Sequence, residues 1–375
     1  MIKNEEPKIT SSSASSIIAF LAKGMFLGIG TYDIFQISRT SSYISAIAAS
    51  IIGIIPFSMI MYIIKNGKGE GIIETNEYIF GKKLGMIINI LFSIFFFLLA
   101  TVLLYNFISF IDINYMPETS KLYIGLFMII ILAYMISKGL NVISVASQMI
   151  FYVSIIAYFI GIFGMLSSVN LDNLLPTFDT PVLSTVRGSS TIIGLSALPC
   201  FLITLIGKSK VEDPKKYIKD NYKIYIIAGI ELSTLFFLSL AVLGINLISI
   251  NKYPEYLILT KVNILNLVKR VQNIIALQLS YNVIILILMS LMYPFKNIER
   301  FIKKEKNKTL LYFGLSSLAV ILSFYIFPNM TSANIFYINY LPVVLGLFLG
   351  VFLLIIFFRI MYIKKKKNID NENNM

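Results

Sequence analysis

The sequence has no histidine and only one cysteine, Cys200, among its 375 residues. A single cysteine cannot form an internal disulfide bond, and in an apolar stretch it is expected to be a small packing residue. Without histidine, neither a histidine zinc site nor a histidine general base is available. Since no nucleophile–base pair or metal-ligand spacing is visible, the sequence predicts no enzyme, no metal and no cofactor. A cleavable signal peptide is not expected, because the first residues, MIKNEEPKITSSSASS, are polar and partly acidic.

Apolar residues dominate what is present. They make up 57% of the chain, whereas a typical soluble domain has roughly 45–50%. They fall in blocks of about 20 residues, the length that a helix needs to cross the hydrocarbon core. Continuous runs such as IIGIIPFSMIMYII exclude a transmembrane barrel, whose strands alternate apolar and polar residues. The sequence predicts an all-α polytopic membrane protein with ten spans, at about 14–38, 43–64, 85–110, 122–136, 149–168, 189–206, 224–247, 273–293, 309–327 and 340–362.

Basic residues are distributed unevenly between the segments that join these spans. Lys and Arg cluster after spans 2, 6 and 8 and in the C-terminal tail, whereas only seven of the 32 lie in the alternate connections. Because cytoplasmic segments collect Lys and Arg, the bias predicts a multi-pass protein of the cell membrane with both termini cytoplasmic. The net charge of +13 is interpreted as an inner-leaflet signature that attracts anionic membrane lipid, and not as a nucleic-acid surface.

The ten spans divide into two halves of five. The predicted organisation is a cytoplasmic tail at 1–13, a first transmembrane repeat at 14–168, an outer loop at 169–188, a second repeat at 189–362 and a basic cytoplasmic tail at 363–375. Because five is an odd number, the second repeat enters the membrane in the opposite orientation.

Two connecting segments carry apolar residues at near-helical spacing. They are residues 68–84, KGEGIIETNEYIFGKKL, and residues 253–272, YPEYLILTKVNILNLVKRVQ, the second on the predicted outer side. Each is interpreted either as an ordinary amphipathic helix at the surface or as a gate over a vestibule.

Spans 1 and 6 occupy corresponding positions in the two halves, and both contain residues that interrupt a helix. Span 1 contains LGIGT at 27–31, and span 6 contains GLSALP at 194–199. Matched breaks predict a LeuT-like 5+5 inverted repeat with a binding site near the membrane midplane. The alternative for span 1 is close helix packing, since Gly24 and Gly28 also form a small-xxx-small face.

An unwound stretch within a membrane exposes backbone groups that need a cavity or a ligand. The half-helix that follows the break in span 1 presents its N-terminus, which suits a carboxylate, and the preceding half offers carbonyl oxygens, which suit an ammonium group. A zwitterionic amino acid fits both. The predicted substrate-binding residues are Gly28, Ile29, Gly30, Thr31, Asp33, Gly194, Leu195, Ser196, Ala197 and Tyr281.

Three ionisable residues lie within the predicted spans, where such residues are functional candidates. Lys23 and Glu231 lie at similar depths from the inner side, which predicts that they pair, either as a coupling pair beneath the substrate or as a structural ion pair. Asp33 holds a substrate ammonium group or caps the outer half-helix. In span 8, Ser280, Tyr281 and Asn282 are candidates to line the same cavity.

Several stretches, in order and in register over nearly the whole chain, carry a family resemblance. They are LGIGT in span 1, GKKLGMIINILF at the start of span 3, SKGLNVISVASQ before span 5, NLDNLLPTF after it and VEDPKKYIKDNY after span 6. In these the chain resembles the spore germination permeases, the B subunits of GerA-type germinant receptors, within the amino acid–polyamine–organocation transporter superfamily.

The resemblance implies a subunit of the spore inner membrane that binds a small nutrient, commonly an amino acid, within a transporter-like core. It implies signalling through partner subunits, an A-type membrane protein and a C-type lipoprotein. The alternative function is a proton-coupled amino acid permease. The two share a fold and a site, and fold does not settle function.

Overall fold

The computed structural model describes residues 8–261, 271–302 and 304–372. The described residues are helical and contain no extended sheet, only an isolated parallel bridge between Ile9 and Val211. The α-helices are α1 Ser11–Leu21, α2 Gly30–Ser38, α3 Ser42–Ile52, α4 Ile54–Asn66, α5 Ile72–Phe80, α6 Lys82–Asn114, α7 Lys121–Ser137, α8 Gly139–Met165, α9 Val182–Ser196, α10 Pro214–Ser249, α11 Pro254–Leu257, α12 Val271–Glu299, α13 Glu305–Ile326, α14 Met330–Asn339, α15 Leu341–Leu345 and α16 Val351–Glu372.

The outer surfaces of several long helices are apolar. On α8, for example, an exposed face is formed by Val145, Met149, Tyr152, Ile156 and Phe163. A water-soluble protein does not expose such continuous apolar faces, whereas lipid covers them at no cost. The described helices include eight stretches long and apolar enough to span a membrane, and two shorter apolar helices, α1 and α7. The chain is thus a multi-pass helical membrane protein.

Several observed helices extend beyond the predicted spans; α10, for example, begins at Pro214, ten residues before the predicted start of span 7. The fourth predicted span coincides with α7, but the next helix begins at Gly139, ten residues before the predicted start of span 5. The predicted outer loop at 169–188 is shorter than expected, because α9 begins at Val182. The arrangement of ten spans in two inverted repeats stays a prediction.

Helix α1 is the centre of the molecule. Ten of its eleven residues are buried, and it packs against α8, α10 and α12. Around this core, α2 and α3 pack on α9, and α6 packs on α12 and α13. An apolar helix surrounded on all sides has no lipid-facing or water-facing stripe. The groups at its ends are therefore held within the protein core.

The chain leaves helical geometry in both predicted breaks. Between α1, which ends at Leu21, and α2, which begins at Gly30, the residues form turns. After α9 ends at Ser196, the chain continues as a 3-10 helix over Pro199–Leu205. With nine and eleven residues, neither α2 nor α1 is long enough to cross a hydrocarbon core of about 30 Å alone.

The segments at the predicted cytoplasmic end are packed together. The amide of Ile9 donates to the carbonyl of Lys210, at 2.9 Å, and the amide of Glu212 donates to the carbonyl of Ile9, at 3.0 Å. The amide and hydroxyl of Ser209 both donate to the carbonyl of Gly69. The described part of the predicted N-terminal tail is thus joined to the segment that follows the second break.

The two amphipathic segments are packed into the fold. Within residues 68–84, helix α5 buries Ile72, Ile73 and Ile79 against α6, and Asn76 donates a hydrogen bond to Asn89, at 2.8 Å. Within 253–272, residues form α11 and a 3-10 helix at Ile258–Lys261, while residues 262–270 lie outside the described part of the chain.

Candidate functional site

The predicted pair Lys23 and Glu231 is present. Lys23 Nζ donates to Glu231 Oε2, and both side chains are buried. Lys23 lies at the start of the break after α1, and Glu231 lies on α10. An ion pair removed from water contributes little net stability, but removing one partner leaves an uncompensated buried charge. The pair thereby fixes the first break against α10.

A pocket lies beside the first break, between α8, α10 and α12. Its cavity volume is about 90 Å³. Most of its wall is aliphatic, and its polar groups include the Lys23–Glu231 pair, Glu255, Gln278 and Asn282. Small-molecule sites share this combination of apolar wall and few polar groups. Asn282 Oδ1 is buried and has no hydrogen-bond partner among the described residues.

Glu255, on α11, extends into the first break. The amide of Gly28 donates to Glu255 Oε1, at 2.6 Å, and Thr31 Oγ1 hydrogen-bonds to Glu255 Oε2. The side chain is completely buried. Gly28 immediately precedes Ile29, the N-cap residue of α2. A carboxyl group of the chain itself therefore lies just before the half-helix at which the sequence predicts a substrate carboxylate.

The neighbours of Glu255 also contact the break. We call residues 252–259 the plug. The ring of Tyr253 lies against Gly28, so that a Cβ atom there would be 2.2 Å from Tyr253 Cε1. Gly28 has a φ of +64°, in the left-handed region that favours glycine. Lys252 Nζ lies 4.8 Å from the centre of the Tyr32 ring and 5.0 Å from that of Tyr337.

Asp33 faces the charge of Lys252. The two groups interact electrostatically, and Asp33 is completely buried. Neither carboxylate oxygen of Asp33, nor Lys252 Nζ, has a hydrogen-bond partner within the residues that the structure describes. Asp33 and Lys252 form no direct ion pair among the described residues, and the two roles predicted for Asp33 stay predictions.

The ionisation of the plug reflects its burial. Burial raises the pKa of Glu255 to about 7, against the opposing effect of hydrogen bonds from Thr31 and Gly28. Burial lowers the pKa of Lys252 to about 8, although Asp33 and Glu255 favour its charged form. Thr31 Oγ1 also reaches the carbonyl of Phe26, at 3.1 Å. Because a hydroxyl donates one proton, both contacts of Thr31 are satisfied only when Glu255 carries a proton.

Other polar groups of the break also have partners in the protein. Asn106 Nδ2 donates to the carbonyl of Leu27, at 2.6 Å, and the amide of Gly30 donates to the carbonyl of Met25, at 2.8 Å. That the remaining groups of the break face a ligand stays a prediction. Unwound backbone at membrane depth requires partners, and here side chains and neighbouring backbone supply them.

The two breaks contact each other, since a Cβ atom on Gly30 would lie 3.1 Å from Leu195 Cδ1. Four other residues predicted to bind substrate, all in the two breaks, are also buried: Ile29, Gly194, Ser196 and Ala197. None of the residues predicted to bind substrate lines the pocket. Both residues of the predicted coupling pair do.

In α12, the structure separates the three polar candidates. Asn282 lines the pocket. Ser280 is buried and donates to the carbonyl of Ala276, at 3.2 Å. Tyr281 is 37% exposed and is not part of the pocket wall. Successive residues of a helix point about 100° apart, and in α12 this rotation turns Tyr281 away from the pocket that Asn282 lines.

Glycine spacing in the first break serves packing as well as conformation. A Cβ atom on Gly24 would lie 2.7 Å from Leu286 Cβ and 2.8 Å from the carbonyl oxygen of Asn282. Gly24 therefore permits the close approach of α12, as the packing alternative predicts. Gly28 instead supplies the positive φ and admits the Tyr253 ring. The two interpretations apply to different glycines.

The sequence did not lead to a prediction of Lys252, Tyr253 and Glu255 as site residues. Their local pattern, KYPEYL, resembles the start of a surface helix, with proline at its first position. The available signal was an acidic residue within an otherwise apolar stretch, which near a membrane indicates a buried partner.

The family to which these features correspond is found by comparison with known proteins. The family model described as "Spore germination protein" (Spore_permease) matches residues 8–332, which is most of the chain. Comparison with curated proteins finds no significant match.

Proposed function

The chain belongs to the spore germination protein family of germination-related membrane permeases, and from that premise we propose that it is the membrane subunit of a spore germinant receptor. It binds a small nutrient, an amino acid, beside the broken helices and signals through A-type and C-type partner subunits. The ten-span inverted repeat, the cytoplasmic termini and the spore inner membrane belong to the same proposal.

The observation that carries the proposal is the pocket next to the first break. Its aliphatic wall suits an apolar amino acid side chain, and its polar groups are few and clustered. Glu255 belongs both to the pocket wall and to the break. A ligand in the pocket thus lies next to Glu255, which hydrogen-bonds to the first break.

A second candidate function is the proton-coupled amino acid permease. The observation that favours it is the presence of three ionisable side chains, Lys23, Glu231 and Glu255, in one pocket wall. Proton-coupled transporters carry such groups at membrane depth, where protonation changes their pairing. The receptor and the permease differ in one step, release of the ligand on the opposite side.

A germination assay tests the receptor. Spores that lack only this protein are exposed to single amino acids, and the loss of optical density is followed. Failure to respond to one amino acid, restored by the wild-type gene, is the expected result. Strains that also lack each related receptor gene in turn are tested in the same way. The proposal is contradicted if all of these strains respond normally to every amino acid.

Uptake measurements separate the receptor from the permease. The purified chain in proteoliposomes is given the radiolabelled amino acid with and without a pH gradient. The receptor predicts binding without accumulation. Accumulation that depends on the gradient establishes the permease.

A further inference from the structure

The plug brings two opposite charges to the first break. Glu255 presents its carboxyl group to the amide of Gly28, just before α2, and Lys252 places its ammonium group 4.8 Å from the centre of the Tyr32 ring in α2. These are the two kinds of charged group that a zwitterionic amino acid carries. A nutrient that enters the break therefore meets charged residues of the same chain.

We propose that the plug is an internal competitor for the nutrient, and that an amino acid binds at the break by displacing Glu255 from Gly28 and Thr31. This inference rests on the proposed function and adds the ligand group that is recognised, the α-carboxylate. It also adds a route for the signal, because displacement moves the segment that joins α10 to α12.

The contacts that hold the plug in the break permit its displacement. Helix α11 has only four residues and continues as a short 3-10 helix. Within the described residues, its side-chain hydrogen bonds to the break are the two made by Glu255. A ligand carboxylate can accept a hydrogen bond from the Gly28 amide, and from the Thr31 hydroxyl when that hydroxyl turns away from the carbonyl of Phe26.

The alternative is that Glu255 binds the nutrient directly. Because Glu255 also belongs to the pocket wall, its carboxylate could receive a ligand ammonium group without leaving the break. The two possibilities predict opposite effects of removing the charge. A competitor weakens nutrient binding, so its removal tightens binding, whereas a contact residue strengthens binding, so its removal weakens it.

The experiment measures binding to the purified full-length chain. The probes are L-leucine, whose side chain matches the aliphatic wall, and 3-methylbutylamine, which is leucine without its carboxyl group. In Glu255→Ala, which removes both hydrogen bonds of the plug to the break, we expect the Kd for leucine to fall about tenfold or more. The Kd for the amine should change by less than about threefold.

Glu118→Ala is the matched control, because Glu118 is an exposed carboxylate in another connection on the same predicted side. It should leave both Kd values unchanged. Leucine binding that is equal or weaker in a folded Glu255→Ala variant overturns the inference. Equal tightening of leucine and the amine overturns it as well, because the competition is then not for the carboxylate. If neither chain binds any of the twenty amino acids, the proposed function is wrong, and the inference falls with it.

A second measurement, of thiol accessibility, tests displacement of the plug in a chain that keeps Glu255. Cys200 is the only cysteine, so a Cys200→Ala, Pro254→Cys chain carries one thiol, at a buried position of the plug. We expect saturating leucine to accelerate its reaction with a membrane-impermeant maleimide, while Glu118→Cys in the same background reacts at a constant rate. An unchanged or slower reaction of the Pro254→Cys thiol shows that the plug stays in place, which overturns the inference.

Discussion

The amide of Gly28 donates a hydrogen bond to Glu255 across 227 residues of sequence, with 2.6 Å between N and Oε1. This contact joins the unwound segment of the first half to the connection between α10 and α12 in the second half. Gly28 also lies under the Tyr253 ring. One residue thus provides an unusual backbone conformation, a donor and a close packing surface.

Substitution of Gly28 by alanine should destabilise the chain and impair leucine binding. The left-handed conformation alone costs a non-glycine residue about 1–2 kcal/mol, and the added Cβ atom would also displace the Tyr253 ring, which lies 2.2 Å from its position. The measurement is the midpoint of thermal unfolding in detergent, together with the leucine Kd.

Gly139→Ala is the control for Gly28→Ala. Gly139 has a φ of +74°, but nothing lies within 4 Å of its added Cβ atom. It should therefore show the conformational cost without the clash. Equal losses of thermal stability in the two variants would show that contact with Tyr253 contributes nothing.

The Lys23–Glu231 pair should show strong coupling in a double-mutant cycle. Lys23→Met and Glu231→Gln each leave one partner unpaired and buried, which typically costs about 3–5 kcal/mol. The double variant should lose less than the sum of the single variants, because it leaves no uncompensated charge. Thermal unfolding and leucine binding are measured for all four chains.

The same cycle on Lys223 and Asp220 provides the comparison. These residues lie on the same helix, α10, 3.9 Å apart, with Lys223 largely exposed. Coupling should be below about 1 kcal/mol there, since solvent screens exposed pairs. Additive losses at Lys23 and Glu231 would mean that the buried pair acts as two independent groups.

Leucine binding should tighten as pH rises from about 5 to 7. With the plug in place, the pKa of Glu255 is raised from 4.5 to about 7, so the docked plug holds more protons than the displaced plug in this interval. Docking is most stable below the lower value and loses stability as pH rises through the upper one. A competitor that docks less well leaves the site more available to leucine.

The charged groups around Glu255 limit the pH range over which this assay reports on Glu255. Lys252, with a pKa lowered to about 8, begins to titrate above it, and the Lys23–Glu231 pair and Tyr253 also lie close by. The tightening should disappear in Glu255→Gln. If the variant keeps the full pH dependence of leucine binding, another group is responsible.

Neighbouring residues of α12 should differ in their effect on binding. Asn282 lines the pocket with an unpartnered carbonyl oxygen, as far as the described residues extend, and Tyr281 is exposed. Asn282→Ala should raise the leucine Kd about tenfold through loss of a buried polar contact, and Tyr281→Ala should change it by less than about twofold. The reverse order would place the ligand on the other face of α12.

Local features of the sequence were enough to predict much of the architecture. Apolar blocks of helical length predicted the helices, and LGIGT and GLSALP marked the places where α1 and α9 end or are interrupted. The similar depths of Lys23 and Glu231 predicted their ion pair. Each of these depends on spacing along one or two segments, and hydrophobicity and helix geometry fix that spacing.

The placement of the plug could not be read in the same way. Residues 253–257 have the pattern of a surface helix, but their burial depends on packing against α2 and α10. The direction in which Tyr281 and Asn282 face likewise depends on the rotation of α12 against its neighbours. Periodicity within one segment carries no information about either.

The sequence by itself determined a multi-pass helical membrane protein with two interrupted helices, because apolar length and glycine conformational freedom are local properties. The tertiary structure decided what fills the first interruption. Glu255 and Gly28 meet only because packing brings a distant connection to an unwound backbone that needs a partner. Burial within that packing, and not the local sequence, raises the pKa of Glu255 and makes its carboxyl group part of the candidate site.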